Sequence, residues 1–126
     1  MTNWTTDELN KIEHTEELRI ASQRLDGTLR KQTIIWVVRV DNDLYVRSVY
    51  GRTSDWFRGV QSQHTGRIQA AGIEKDVRFE EIAADDGIND LVDAEYRTKY
   101  RHYAASIIDS VTSPTARSAT IKLIPR

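Results

Sequence analysis

The run TIIWVVRV at residues 33–40 constrains the fold more than any other part of the sequence. Apart from Arg39, every side chain in it is β-branched or aromatic, and such residues favour strands. Because the run does not alternate with polar residues, it predicts a central strand that is covered on both faces. Asp41-Asn42-Asp43 then predicts a turn, and LYVRSVY at residues 44–50 is expected to return as the hairpin partner.

The remaining elements follow from apolar periodicity and from turn and capping residues. Thr5 and Glu8 have the spacing of a helix capping box, and Asp26-Gly27 is typical of a tight turn. The predicted elements are a helix at residues 5–14, a strand at 16–24, a helix from Ser54 to about Gln63, a hairpin at 66–82 that turns near Ala71-Gly72, and a last strand at 119–125.

From Asp86 onward the pattern becomes helical. Apolar and aromatic residues recur in steps of four and three, which places them on one face of a long helical segment that ends before Pro114. They are Val92, Tyr96, Tyr100, Tyr103, Ile107 and Val111. Six short strands, joined mainly as hairpins, predict a mainly β (α+β) fold. We therefore expect one domain over residues 1–126, a small six-stranded antiparallel split β-barrel with peripheral helices.

Composition excludes several classes of function. The chain has no cysteine, which excludes thiol catalysis, disulfides and cysteine-bound zinc, and its three histidines share no ligand spacing, so no metal site is expected. No apolar run is long enough to span a membrane, and the polar, acidic N-terminus does not resemble a signal peptide. A cytoplasmic location without membrane partners is the expectation.

The net charge of −1 conceals a basic middle region. Residues 28–72 carry seven basic and three acidic side chains, whereas residues 1–27 and 73–109 are both acidic. This distribution is compatible with an anionic ligand bound at the middle of the chain. It does not predict nucleic-acid binding, which usually requires a basic domain overall.

The stretch YVRSVYGRTSDWFRGV at residues 45–60 concentrates arginines and hydroxyls where a predicted strand passes into a helix. A helix N-terminus offers unpaired amides, and guanidinium groups form bidentate pairs with phosphate. We therefore identify candidate phosphate-binding side chains, with Trp56 as a candidate stacking surface and Arg58 beside it. The phosphate candidates are Arg47, Ser48, Arg52 and Ser54. The alternative interpretation is that the arginines are solvated or paired with acids elsewhere.

Several motifs resemble the bacterial domain-of-unknown-function family 2255, over about residues 3–80. They are WTxDEL at residues 4–9, ELxIAS at 17–22, DGTLR at 26–30, IWVVRV at 35–40, DLYVRS at 43–48 and GxxxxWFR at 51–58. That family is similar in turn to split β-barrel proteins that bind flavins or deazaflavins, including deazaflavin-dependent nitroreductases and relatives of pyridoxamine phosphate oxidase. The resemblance implies a homodimer with a cofactor phosphate near Arg47, Ser48 and Arg52.

Three functional hypotheses remain open at this point. The first is an oxidoreductase that uses FMN or a deazaflavin, in which the cofactor carries the hydride chemistry. The second is a non-catalytic module that binds another anionic small molecule. The third is a structural homodimer without a cofactor.

Overall fold

The computed structural model of the protein describes residues 3–126. The strands are β1 (Glu17–Ser22), β2 (Thr33–Trp36), β3 (Val38–Val40), β4 (Asp43–Arg47), β5 (Thr65–Ala70), β6 (Ile73–Ile82) and β7 (Thr120–Pro125). The helices are α1 (Thr6–Glu13), α2 (Asp55–Gln63), α3 (Ile88–Lys99), α4 (Ala105–Val111) and α5 (Pro114–Arg117), with a short 3-10 turn at Gly51–Thr53. Within residues 3–126, no helix has the length and apolar character needed to cross a membrane.

The strands form one antiparallel sheet in the order β2-β1-β5-β6-β7-β4-β3, which curls into a nearly closed barrel. The predicted hairpins at β3–β4 and β5–β6 are both present. The barrel thus confirms the predicted fold class, with seven strands where six were expected. The additional strand arises within the run at residues 33–40.

The prediction of a single central strand at residues 33–40 is wrong, because the run divides at Val37 into the two edge strands of the sheet. The backbone of Val37 bonds to side chains instead of to a neighbouring strand. Its N–H donates to Tyr100 Oη at 3.2 Å, and its carbonyl accepts from Lys99 Nζ at 2.6 Å. The part of the run in β3 is buried against α3, whereas β2 is only partly buried and Ile34 is exposed.

The hydrophobic core has two parts. The larger part fills the barrel and receives the buried faces of α1 and α2, while the smaller part lies between β3–β4 and the helices α3 and α4. The face predicted from Asp86 onward packs in this smaller core, where Trp36 stacks on Tyr100 with 3.9 Å between ring centroids, except that Ile107 is exposed and its neighbour Ile108 is buried instead. The face belongs to two helices, since α3 ends at Lys99, and Pro114 begins α5 instead of following one long helix.

The connection from β1 to β2 is held in a defined shape. Asp26 Oδ1 accepts the Thr28 amide at 3.0 Å, and Gly27 adopts a positive φ of 87° that suits glycine. At the end of this connection the Arg30 amide donates to the Ser22 carbonyl at 2.8 Å. These bonds fix where the cationic side chains of the connection leave the backbone.

Candidate functional site

A cleft of about 920 Å³ opens between α2 and the segment that runs from β1 to β2. We call it the basic cleft. Its deepest lining residues are almost inaccessible to solvent, whereas its charged side chains are exposed at the mouth. The lining residues are Ile20, Ser22, Arg24, Arg30, Lys31, Gln32, Thr33, Ile34, Asp55, Trp56, Arg58, Gly59 and Val60.

The basic cleft carries an excess of positive charge. Four of its lining side chains are cationic and only Asp55 is acidic. Among residues 3–126, no acidic side chain forms an ion pair with Arg30, Lys31 or Arg58. Arg24 donates to Thr28 Oγ1 and to the Leu29 carbonyl, and it forms no ion pair with an acidic side chain of residues 3–126. Clefts lined by one sign of charge concentrate ligands of the opposite sign, so the basic cleft favours anions.

The first turn of α2 forms one wall of the cleft. Ser54 occupies the predicted N-cap position, but its hydroxyl makes no capping bond and lies 2.7 Å from the hydroxyl of Ser48. Trp56 is half-buried, because its ring packs against the core beside Phe57 while it also lines the cleft. The wall therefore combines an aromatic surface with the positive end of a helix dipole.

Arg47 lies outside the cleft, in a buried network that we call the Arg47 centre. Its guanidinium is fully buried, and each of its five N–H groups has a protein acceptor. Nε donates to Thr120 Oγ1 at 2.9 Å, and the terminal nitrogens donate to Asp93 Oδ1, Asn89 Oδ1 and two backbone carbonyls. No N–H of Arg47 is directed at an external ligand, so in this structure the side chain ties β4 to α3 and β7.

The other predicted phosphate ligands are also engaged by protein partners. Ser48 is buried and pairs with Ser54, as described above. Arg52 donates to the Ser118 carbonyl at 2.9 Å and to Glu81 Oε1 at 2.8 Å, while His64 Nε2 lies 2.8 Å from the other Glu81 oxygen. Burial acts to raise the pKa of Glu81, but the hydrogen bonds from His64 and Arg52 hold that pKa below its ordinary value.

The six residues predicted as a cofactor site thus do not converge on one place. Trp56 and Arg58 line the basic cleft, whereas Arg47, Ser48, Ser54 and Arg52 do not line it. Their predicted role in binding a cofactor stays a prediction. Sequence reasoning missed the contribution of Arg24, Arg30 and Lys31, although the last two belong to the basic middle region.

A metal centre finds no support in the ligand geometry. Across residues 3–126, no three His, Asp or Glu side chains come together as a potential metal site. The chemistry available at the cleft is therefore that of cations, hydroxyls, an aromatic ring and one carboxylate.

Comparison with known proteins places the chain in a wider group. Residues 8–123 match the family described as "Uncharacterized protein conserved in bacteria (DUF2255)". No curated protein matches the sequence at a significant level.

Solved structures share the fold at low sequence identity. The haem storage protein HutZ from Vibrio cholerae aligns over 93% of this chain and 86% of its own, with a TM-score of 0.70 and 12% identity. A putative pyridoxamine 5'-phosphate oxidase from Listeria innocua aligns over 94% and 90%, with a TM-score of 0.65 and 14% identity. An F420 reductase aligns over 93% and 90%, with a TM-score of 0.60 and 13% identity. At these identities the likeness establishes the split-barrel fold alone.

Proposed function

The chain belongs to the DUF2255 family, and on that premise we propose that it is an oxidoreductase that binds a flavin or deazaflavin cofactor in the basic cleft. The observation that carries the proposal is the combination, in one cleft, of unpaired cations with a half-buried tryptophan. FMN and the deazaflavin F420 both join a planar ring system to a phosphate. The fold shared with a reductase named for F420 adds support.

The residues of the cleft fit such a cofactor in size and in chemistry. A volume of about 920 Å³ lies within the range of small-molecule sites. Arg30, Lys31 and Arg58 are available for charge-assisted hydrogen bonds to a phosphate. Trp56 offers an aromatic surface for a planar ring. Ile20 and Val60 provide an apolar floor that excludes water.

The division of work follows from these positions. The bound cofactor would supply the hydride chemistry. The cations hold its phosphate, Trp56 orients its ring, and the apolar floor keeps water from the space beneath it. Asp55 is the one acidic side chain of the lining, and its negative charge disfavours binding of the phosphate directly beside it.

Haem does not fit the same cleft, although HutZ is a haem storage protein. Haem iron in proteins is held by histidine, cysteine, methionine or tyrosine. Within residues 3–126, no histidine, cysteine, methionine or tyrosine lines the basic cleft. We therefore do not extend haem binding to this protein.

Titration of the purified protein with FMN and, separately, with F420 tests the proposal. Ligand fluorescence and protein melting temperature are followed together, and we expect binding in the micromolar range for at least one of them. A melting shift with a sugar phosphate or nucleotide, and none with either cofactor, would favour a non-catalytic binding module instead. Silence from all of these ligands would overturn the proposal.

The proposal includes a homodimer. Leu25 and Ile34 are exposed apolar residues in the segment that borders the cleft, and their burial against a second copy would be favourable. Sedimentation equilibrium over a range of concentrations measures the association. We expect a dimer, and we expect its dissociation constant to be lower when the cofactor is bound.

A further inference from the structure

The floor of the basic cleft contains a serine whose hydroxyl has no partner within residues 3–126. Leu18, Ile20 and Ser22 point to the same face of β1, and the first two enter the barrel core. Ser22 comes at the end of this row, is 5% exposed, and lines the cleft. Its hydroxyl forms no hydrogen bond with any side chain or backbone group of residues 3–126, in contrast to the paired hydroxyls of Ser48 and Ser54.

Such a hydroxyl is informative because most polar side chains with so little exposure are paired within the protein. The Ser22 side chain is largely buried, but its hydroxyl is reached from the cleft: among residues 3–126, the buried side-chain polar atom without a partner is Tyr96 Oη and not Ser22 Oγ. A ligand oxygen that enters the cleft can therefore replace water as the partner of the Ser22 hydroxyl.

Gly59 of α2 allows this helix to pack closely against Ser22 and Arg30. A Cβ atom at Gly59 would lie 2.5 Å from Ser22 Oγ, 3.1 Å from Arg30 Cδ and 3.3 Å from Arg30 Nε. The first distance is too short for a side-chain carbon, so a residue larger than glycine would displace the hydroxyl. The same distances show that Ser22 Oγ and Arg30 Nε lie close together at the floor of the cleft.

We infer that Ser22 and Arg30 form a subsite at the floor of the basic cleft that binds a phosphate group, and that Gly59 allows these two side chains to lie together there. The inference rests on the proposed function and deepens it by naming the side chains that would recognise the phosphate. Arg30 provides charge and Ser22 provides a hydroxyl donor, a combination suited to a phosphate oxygen. Lys31 and Arg58 line the same cleft and are available for further charge-assisted hydrogen bonds to that phosphate.

The test compares FMN with riboflavin, which has the same ring system and no phosphate, in the intact protein. We expect Ser22→Ala and Arg30→Met each to weaken FMN binding about tenfold or more and to leave riboflavin binding unchanged. Gly59→Ala should have an equal or larger effect on FMN, because its methyl group would displace both Ser22 Oγ and the Arg30 side chain. Ser62→Ala on α2 and Arg97→Met on α3 are matched controls, since both side chains are exposed and neither lines the cleft.

A second measurement uses inorganic phosphate and pyrophosphate, which have no ring. Their addition should shift the backbone amide NMR signals of Arg30 and Gly59 in the wild type and not in Arg30→Met. Phosphate shifts without binding of FMN or F420 would support the subsite and overturn the proposed cofactor. FMN binding that is equal to riboflavin binding and insensitive to Ser22→Ala and Arg30→Met would overturn the subsite and leave the proposed function standing. If Gly59→Ala fails to fold, the two other variants decide the matter.

Discussion

Two regions of the molecule use arginines of the basic middle region, residues 28–72, in opposite ways. In the Arg47 centre, the guanidinium is fully buried and Asp93 compensates its charge, with Arg117 on the second carboxylate oxygen at 2.5 Å. In the basic cleft, Arg30 and Arg58 are exposed and have no acidic partner within residues 3–126. One region satisfies its cation with the protein itself, and the other leaves its cations available.

The partners of an arginine distinguish a structural role, as for Arg47, from a candidate role in ligand binding, as for Arg30 and Arg58. The Arg47 centre joins β4, α3, α5 and β7, so its hydrogen bonds fasten the smaller core to the barrel. Removal of either partner from a buried ion pair leaves an uncompensated charge, which is strongly unfavourable. Removal of an exposed, unpaired cation leaves nothing uncompensated in the protein. The same substitution should therefore affect stability in one region and binding in the other.

The largest effect is expected for Arg47→Met. The substitution leaves Asp93 and Asn89 with unsatisfied buried groups, and we expect it to lower the free energy of unfolding by about 3–5 kcal/mol. Arg30→Met in the cleft is the matched variant and should change the free energy of unfolding by less than about 0.5 kcal/mol. Urea denaturation of both variants measures the difference. Equal losses in the two variants would show that the two regions do not differ in the way described.

Arg58→Met tests whether an exposed arginine of the basic cleft contributes to cofactor binding. Loss of one charge-assisted hydrogen bond should weaken FMN binding by about 1.5–3 kcal/mol, or roughly tenfold or more, without a comparable loss of stability. Arg97→Met on α3 removes an equally exposed arginine that does not line the cleft, and it should leave binding unchanged. Fluorescence titration with FMN provides both values. A similar loss in the two variants would indicate that only net charge matters.

The fold could be predicted from sequence further than the site could. Hairpins and the α1 capping box depend on neighbours in sequence, and both were predicted correctly. The division of the run at residues 33–40 depends on Tyr100 and Lys99, which lie more than sixty residues away, and it could not be read from the run itself. Residue type and spacing fix local structure, whereas the choice of edge or centre is made by distant partners.

The same limit explains why the lining of the basic cleft was only partly predicted. Arg47 and Arg58 look alike in sequence, and only the fold reveals that Asp93 lies against the first of them. Trp56 and Arg58 both line the cleft because they belong to one turn of helix, and their role in cofactor binding stays a prediction. In the sequence, Ser22 could have been noticed because it places a hydroxyl on the inward face of β1, in line with Leu18 and Ile20. Its significance depends on Gly59, which reaches it only through the packing of α2 on β1.

Trp56→Leu gives an intermediate effect and sharpens the description of the cleft. An aromatic contact contributes about 0.5–1.5 kcal/mol beyond the area it buries, so we expect FMN binding to weaken roughly three- to tenfold. Trp56→Phe retains an aromatic ring and should recover most of the affinity. Because Trp56 also packs against the core, melting curves of both variants are needed to confirm that the proteins are folded. Equal affinity in the leucine and phenylalanine variants would remove Trp56 from the proposed ring contact.

Arg52 lies between the two regions in character, since it is exposed but paired with Glu81. Hydrogen bonds from His64 and Arg52 hold the pKa of Glu81 below its ordinary value of 4.5, against the opposing effect of burial. A carboxylate whose pKa is lower in the folded than in the unfolded state stabilises the fold above its unfolded pKa. That stabilisation is lost as the pH falls through the folded pKa. We therefore expect Glu81→Gln to be less stable than the wild type by under about 1 kcal/mol at pH 7.

The difference between wild type and Glu81→Gln should shrink as the pH falls below about 4.5 and disappear below the folded pKa of Glu81, which urea denaturation between pH 3 and pH 7 measures. A difference that grows at low pH would contradict the assigned direction of the pKa shift. Arg52→Met should lose the same small stability and retain wild-type affinity for FMN, because Arg52 does not line the cleft. If Arg52→Met weakens FMN binding as much as Arg58→Met does, an ion pair with Glu81 does not prevent an exposed arginine from binding the cofactor. Arg52 would then belong to the binding site that the sequence predicted.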